Sequence, residues 1–154
     1  MADSTRTQIM SAVSSALSDI VSGSAYNTTV TYVGDYIKAY NEVPLSSFPA
    51  VFPIDADERK EHQAFSGAYD MAADLTVIVT SMLYNRTGVT ATARGDLLRD
   101  IEKALVTASQ ISAITTVWNV ECVKVATDMG TLPMYSIHDQ EFHFHYSYQS
   151  TVGG

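Results

Sequence analysis

The sequence predicts an α+β fold: a mainly antiparallel sheet with two helices packed on one face and an extended charged hairpin arm. Three observations carry that expectation. Between Glu141 and Tyr148, the aromatics Phe142, Phe144, Tyr146 and Tyr148 alternate with Glu141, His143, His145 and Ser147. A strand alternating with period two packs one face and leaves the other to water or a partner, the habit of antiparallel sheets. Two other segments repeat apolar residues every three or four positions, the spacing of an amphipathic helix. A polar stretch, Asp55 to Gly67, separates two strand-like runs.

In chain order, Ile9, Val13, Ala16, Leu17, Ile20 and Val21 form the first helical stripe. Thr5 with Gln8 fits a capping box at its start, and Gly23 supplies a stop. Thr28 to Tyr40, rich in Val, Thr, Tyr and Ile, reads as one bent strand or two short ones. Pro44, Pro49 and Pro53 confine any strand at Ala50 to Ile54 to a short or edge role. The segment DADERKEHQAFSG, residues 55–67, is nearly free of apolar anchors and suits a solvated hairpin tip or arm. Tyr69 to Tyr84 is apolar on both faces, as a central strand would be, with Leu75, Val77, Val79 and Leu83 on one of them.

Arg94 to Val106 gives the second helical stripe through Leu97, Leu98, Ile101, Ala104 and Leu105. Asp96 with Arg99, and Asp100 with Lys103, offer opposite-charge pairs on its exposed side. Val117 to Val125 is a further strand, with Trp118, Val120 and Cys122 expected on a common face. Single glycines at positions 34, 88, 95 and 130 read as turns, and residues 150–154 should fray.

Length and composition fit a single domain spanning residues 1–154 with a real hydrophobic core. A net charge of −8, from 17 acidic and 9 basic residues, argues against tight nucleic-acid binding, which needs clustered cations. Cys122 is the single cysteine, so no internal disulfide forms. No secretory leader is legible at the N-terminus, and the apolar run from Leu75 to Tyr84 is too short for a bilayer. The expected compartment is a reducing cytoplasm, with no membrane partner.

His143 and His145 are the sharpest chemical signal. Alternate strand residues point the same way about 6.6 Å apart, close enough to share a metal ion. Glu141 lies on the same face, with His138 and Asp139 nearby. A catalytic metal wants a third placed ligand, however, and the chain has Gln149 where the cupin pattern has a downstream glutamate. Cys122 sits in an apolar run and reads as a small core residue. The acidic residues Asp55, Asp57, Glu58 and Glu61 lack the spacing of a calcium loop. No phosphate loop, dinucleotide fingerprint or nucleophile elbow is present. The residues therefore assign no catalytic group, no cofactor and no metal. A small metal-binding protein or enzyme using His143 and His145 stands as an alternative. The nine tyrosines suit either a subunit interface or ordinary strand composition.

The whole pattern resembles the tail terminator (tail-completion) proteins of long-tailed bacteriophages. The resemblance runs from the helix at Gln8 to Val21, through FPAVFPID at Phe48 to Asp55 and the charged arm. It continues with DLTVIVTSMLYNR at Asp74 to Arg86, RGDLLRDIEKAL at Arg94 to Leu105 and FHFHYSYQ at Phe142 to Gln149. It implies a structural protein of the virion tail at its neck end, assembled in the host cytoplasm. Such a protein forms a ring, typically a homohexamer, that caps the tail tube, ends tube polymerisation and offers the head or neck a joining surface. The implied partners are other copies of the chain, the tail tube protein and a neck or head-completion protein. Genomic DNA would cross the pore without sequence-specific binding. A neck, stopper or other connector role at the same joint is the related alternative. Patterning selects Asp57, Glu58, Arg59, Lys60, Glu61, Phe65, Tyr69, Glu141, His143 and His145 as interface residues.

Overall fold

The computed structural model describes residues 4–23, 25–61 and 70–149. The order of elements is α1 (Thr5–Ser18), β1 (Tyr32–Val33), β2 (Ala50–Glu61), β3 (Asp70–Tyr84), α2 (Ala91–Thr107), α3 (Ser109–Ser112), β4 (Val117–Thr127) and β5 (Tyr135–Gln149). The strands form one five-stranded sheet in the order β1-β2-β3-β5-β4. Every pairing is antiparallel except the two-residue match of β1 with β2. The α+β expectation holds, with the helices on one face of the sheet.

The core lies between that face and the helices. Ile9, Val13, Ala16, Leu17 and Ile20 from the first helical segment, with Leu97, Ile101, Ala104 and Leu105 from α2, meet Leu75, Val77 and Val79 of β3 and Phe142, Phe144 and Tyr146 of β5. All of these are essentially inaccessible to water. Burying each large apolar side chain contributes roughly 1.5–3 kcal/mol, so the aromatic row of β5 is a principal source of stability.

The helix ends differ from the sequence reading in physically clear ways. Ser4, not Thr5, caps α1: its side chain accepts from the Thr7 amide at 3.2 Å. The helix ends at Ser18, and Val21 lies exposed beyond it instead of extending the stripe. On α2, Thr90 caps the start by accepting from the Ala93 amide. Asp100 does not pair with Lys103 on the surface. It is buried, and its Oδ2 accepts from the Asn27 and Thr28 amides and the Thr28 hydroxyl at 2.7–2.9 Å. That triple acceptor pins the 27–28 segment to α2, while Lys103 donates to the Ala25 carbonyl instead. Gly95 lies inside α2 instead of at a turn.

The segment read as one or two strands from Thr28 to Tyr40 pairs only at Tyr32–Val33. Here Gly34 is needed for close approach, since a Cβ would stand 2.7 Å from the Phe52 ring. From Tyr40 to Phe48 the chain covers one end of the sheet's other face. There Val43, Ala50, Phe52 and Met82 form a second small core flanked by Tyr32, Tyr40 and Phe48. Tyr32 and Tyr40 thus serve packing within the chain, whereas Tyr36 is exposed.

The charged hairpin is formed, and its charged residues 55–61 are more strand than loop. β2 runs on past a bulge between Asp55 and Glu58, and Glu58 to Glu61 pair with Leu75 to Ala72. Beyond Val51 its outer edge has no partner strand among the described residues, so Pro53 costs no ladder bond there. Arg6 of α1 clamps the bulge: it bonds Asp55 at 2.6–2.7 Å, Glu58 at 3.1 Å and the Ala56 carbonyl at 3.3 Å. Two of the four acidic residues weighed for a cation site, Asp55 and Glu58, are thus paired with a guanidinium. Residues 62–69 and 150–154, which include the hairpin tip and the expected fraying tail, lie outside the described residues.

Candidate functional site

Because β5 lies between β3 and β4, the face opposite the helices collects polar residues from three strands. The period of two that sends Phe142, Phe144 and Tyr146 into the core sends Glu141, His143 and His145 outward. Register then selects their neighbours. Asp74 of β3 and Asn119 of β4 flank His145, Thr76 and Glu121 flank His143, and Ile78 and Lys124 flank Glu141. Arg59 of β2 is the cross-strand neighbour of Asp74.

These side chains are bonded to one another. His145 bridges two carboxylates, with Nδ1 bonded to Asp74 and Nε2 lying 2.8 Å from Glu121 Oε1. His143 Nε2 lies 3.2 Å from Glu141 Oε2. One ligand-type atom from each of Glu121, His143 and His145 lies within 4.8 Å of the other two. Burial alone would lower the pKa of His145, but its hydrogen bonds to Glu121 and Asp74 outweigh that, leaving it above the ordinary histidine value.

Trp118 closes one side of this cluster. A bulge between Val117 and Asn119 takes it out of the row of Val120 and Cys122, which face Phe144 and Phe142. The expectation that all three share a face is therefore corrected by one inserted residue. The indole, 64% exposed, lies 5.2 Å from the His145 ring between centroids. Cys122 packs against the main core, and burial pushes its thiol pKa up, as for an inert small residue.

His138 belongs to the opposite face and takes no part in the cluster. It is buried, with Nδ1 3.0 Å from Ser81 Oγ and Nε2 2.5 Å from Ser136 Oγ, while Arg94 Nε donates to that same Ser136 oxygen. Desolvation, reinforced by Arg94, pushes its pKa down to about 4. Asp139 points the other way and accepts from the Thr80 hydroxyl at 2.6 Å.

Comparison of the chain with protein-family models and with curated proteins finds no match.

The residues expected at an interface divide into three groups. Glu141, His143 and His145 come together on the open sheet face, as their alternation required. Asp57, Arg59 and Lys60 are exposed on β2, and the Lys60 ammonium lies 4.9 Å from the Tyr148 ring centroid. Glu58 is different: it is half-buried, bonded to Arg6 and to the Tyr146 hydroxyl, and serves the chain's own fold. The Glu61 side chain, Phe65 and Tyr69 lie outside the described residues. Sequence reasoning missed Asp74, Glu121 and Trp118. Period two along β3 marks Asp74 as facing away from Leu75, but only the strand register places it beside His145.

Proposed function

We propose that this chain is a structural subunit of a long-tailed phage, a tail terminator whose ring caps the tail tube and receives the neck. The observation that carries the reading is the outer edge of β4. Among the described residues no strand pairs with that edge, and Trp118, Val123 and Val125 are 64%, 44% and 46% exposed along it. Monomeric proteins guard such edges with prolines, inward charges or covering segments, because an open apolar edge invites another chain. The opposite flank, the distal half of β2, is guarded more heavily, by Pro53, a bulge and a run of charged residues from Asp55 to Glu61, against two bulges with Glu121 and Lys124 on β4. One sticky flank and one charged flank on opposite sides of a sheet suit a head-to-tail contact, in which one surface meets a different surface of the next copy. A closed set of such contacts is a ring. The segment-by-segment resemblance to tail terminators supplies the place of that ring.

No helix of the described residues is long and apolar enough to cross a membrane. A net charge of −8 suits a passage that DNA crosses without adhering, since few cations are present to replace phosphate counterions. The edge is tested with the double substitution Val123→Lys and Val125→Lys. Sedimentation of the wild-type chain with purified tail tube protein should give a capped, ring-bearing tube end. The double variant should stay folded and lose that association. Equal association of the two proteins would remove β4 from the contact.

A further inference from the structure

We propose that Glu121, His143 and His145 bind one divalent transition-metal ion, with zinc the best fit, and that Asp74 orients the His145 ring for it. The site stands independently of the ring reading. Its ligands come from two neighbouring strands in register: Glu121 is the cross-strand partner of His143, and His145 follows two residues along β5. Their candidate ligand atoms lie within 4.8 Å of one another. Zinc bonds of about 2.0–2.1 Å place tetrahedral ligand atoms about 3.3 Å apart, so modest side-chain rotations complete the geometry.

The hydrogen bonding already turns the candidate ligand atoms towards one point. With the His145 Nδ1–H donating to Asp74, the ring turns its Nε2 towards Glu121 Oε1, 2.8 Å away. In the ion-free chain a proton joins these two atoms as a hydrogen bond, and a metal ion would take that proton's place. The Asp74–His145 pair is the carboxylate–histidine arrangement that fixes the tautomer of a ligating imidazole and raises its basicity. Glu141 stands beside His143 and adds negative charge, while Trp118 shields one side. Two imidazoles and one carboxylate favour zinc and its neighbours over magnesium or calcium, which take oxygen ligands throughout. Three protein ligands on an open sheet face leave a coordination position for water or an incoming oxygen ligand.

The test uses the untagged full chain, stripped with a chelator and titrated calorimetrically with zinc chloride, and separately with magnesium chloride. The expected result is one zinc ion per chain and no magnesium uptake. Glu121→Gln and His143→Ala should each weaken zinc binding about tenfold or more, and Asp74→Asn about 10- to 100-fold. Glu121 is exposed on the outer strand, so its substitution leaves the fold intact, as circular dichroism would verify. His62→Ala, outside the described residues, should leave affinity unchanged. Absence of zinc uptake overturns the site, as does uptake that survives Glu121→Gln and His143→Ala or is lost with His62→Ala. Unchanged affinity in Asp74→Asn overturns the orienting role.

Discussion

His138 and His145 lie on one strand an odd number of residues apart, so they face opposite sides of the sheet and titrate in opposite directions. The folded-state pKa of His138 falls to about 4, through desolvation and the nearby Arg94. In the unfolded chain it returns to about 6.5. The unfolded state therefore binds more protons across that window, and stability is lost as pH falls from about 6.5 towards about 4, by roughly 3 kcal/mol in all. For His145, burial is outweighed by the carboxylate bonds and the folded pKa is raised. Its contribution is full below about 6.5 and fades as pH rises through the raised value. Denaturant unfolding between pH 4 and 7 should show a shallower acid loss in His138→Gln than in the wild type; identical slopes would contradict the buried neutral ring. Two glycines make opposite predictions. At Gly95, exposed within α2 with open space where a Cβ would go, alanine should stabilise by about 0.5–1 kcal/mol. At Gly34 a Cβ would press on the Phe52 and Tyr32 rings, so alanine should destabilise by about 1–3 kcal/mol. Thermal melts of both variants check the signs. Neither difference was legible in the sequence, where both glycines read as turns. A glycine's surroundings are set by what packs beside it, which no local pattern records.

At the scale of elements, the legible parts were those whose pattern is local and strongly periodic. The alternation of β5 and the stripes of α1 and α2 survive in the structure, although Val21 is exposed and Leu98 only half-buried among the residues expected inside. The misread parts depended on long-range partners. Asp100 looked like a surface partner of Lys103 because helix spacing allows it. In the fold it is claimed by backbone amides of the segment that follows α1. Asp100→Ala would leave those amides without their acceptor and should cost about 2–3 kcal/mol, measurable by denaturant titration. Trp118 was displaced by a bulge, an insertion in the pairing that composition does not mark. For the same reason the two histidines were visible as a pair, while Glu121 became visible only through register. The charged hairpin carries a practical consequence. Deleting residues from Asp57 onward would remove paired strand and the Arg6–Glu58 bond along with any contact surface. Replacing residues 62–69 with a short turn is the cleaner variant. It should leave the unfolding midpoint near the wild-type value and weaken association with tube protein, read by sedimentation.

For the whole molecule, the sheet divides its labour by face and by flank. One face is sealed by helices, and the opposite face is sealed at one end by the Tyr40–Phe48 segment and bears the histidine–carboxylate cluster at the other. Of the flanks, β4 has no partner strand among the described residues and is the less heavily charged, and the distal half of β2 is the more guarded. That asymmetry supports the proposed ring of identical subunits, and the resemblance to tail terminators supports the proposal that the ring sits at the end of the tail tube. The most direct test is electron microscopy of phage particles assembled without this protein. Tails of abnormal and variable length, detached from heads, are the predicted result. Tails of normal length would contradict termination, and if they also lacked heads they would place the protein at the joint in a purely joining role.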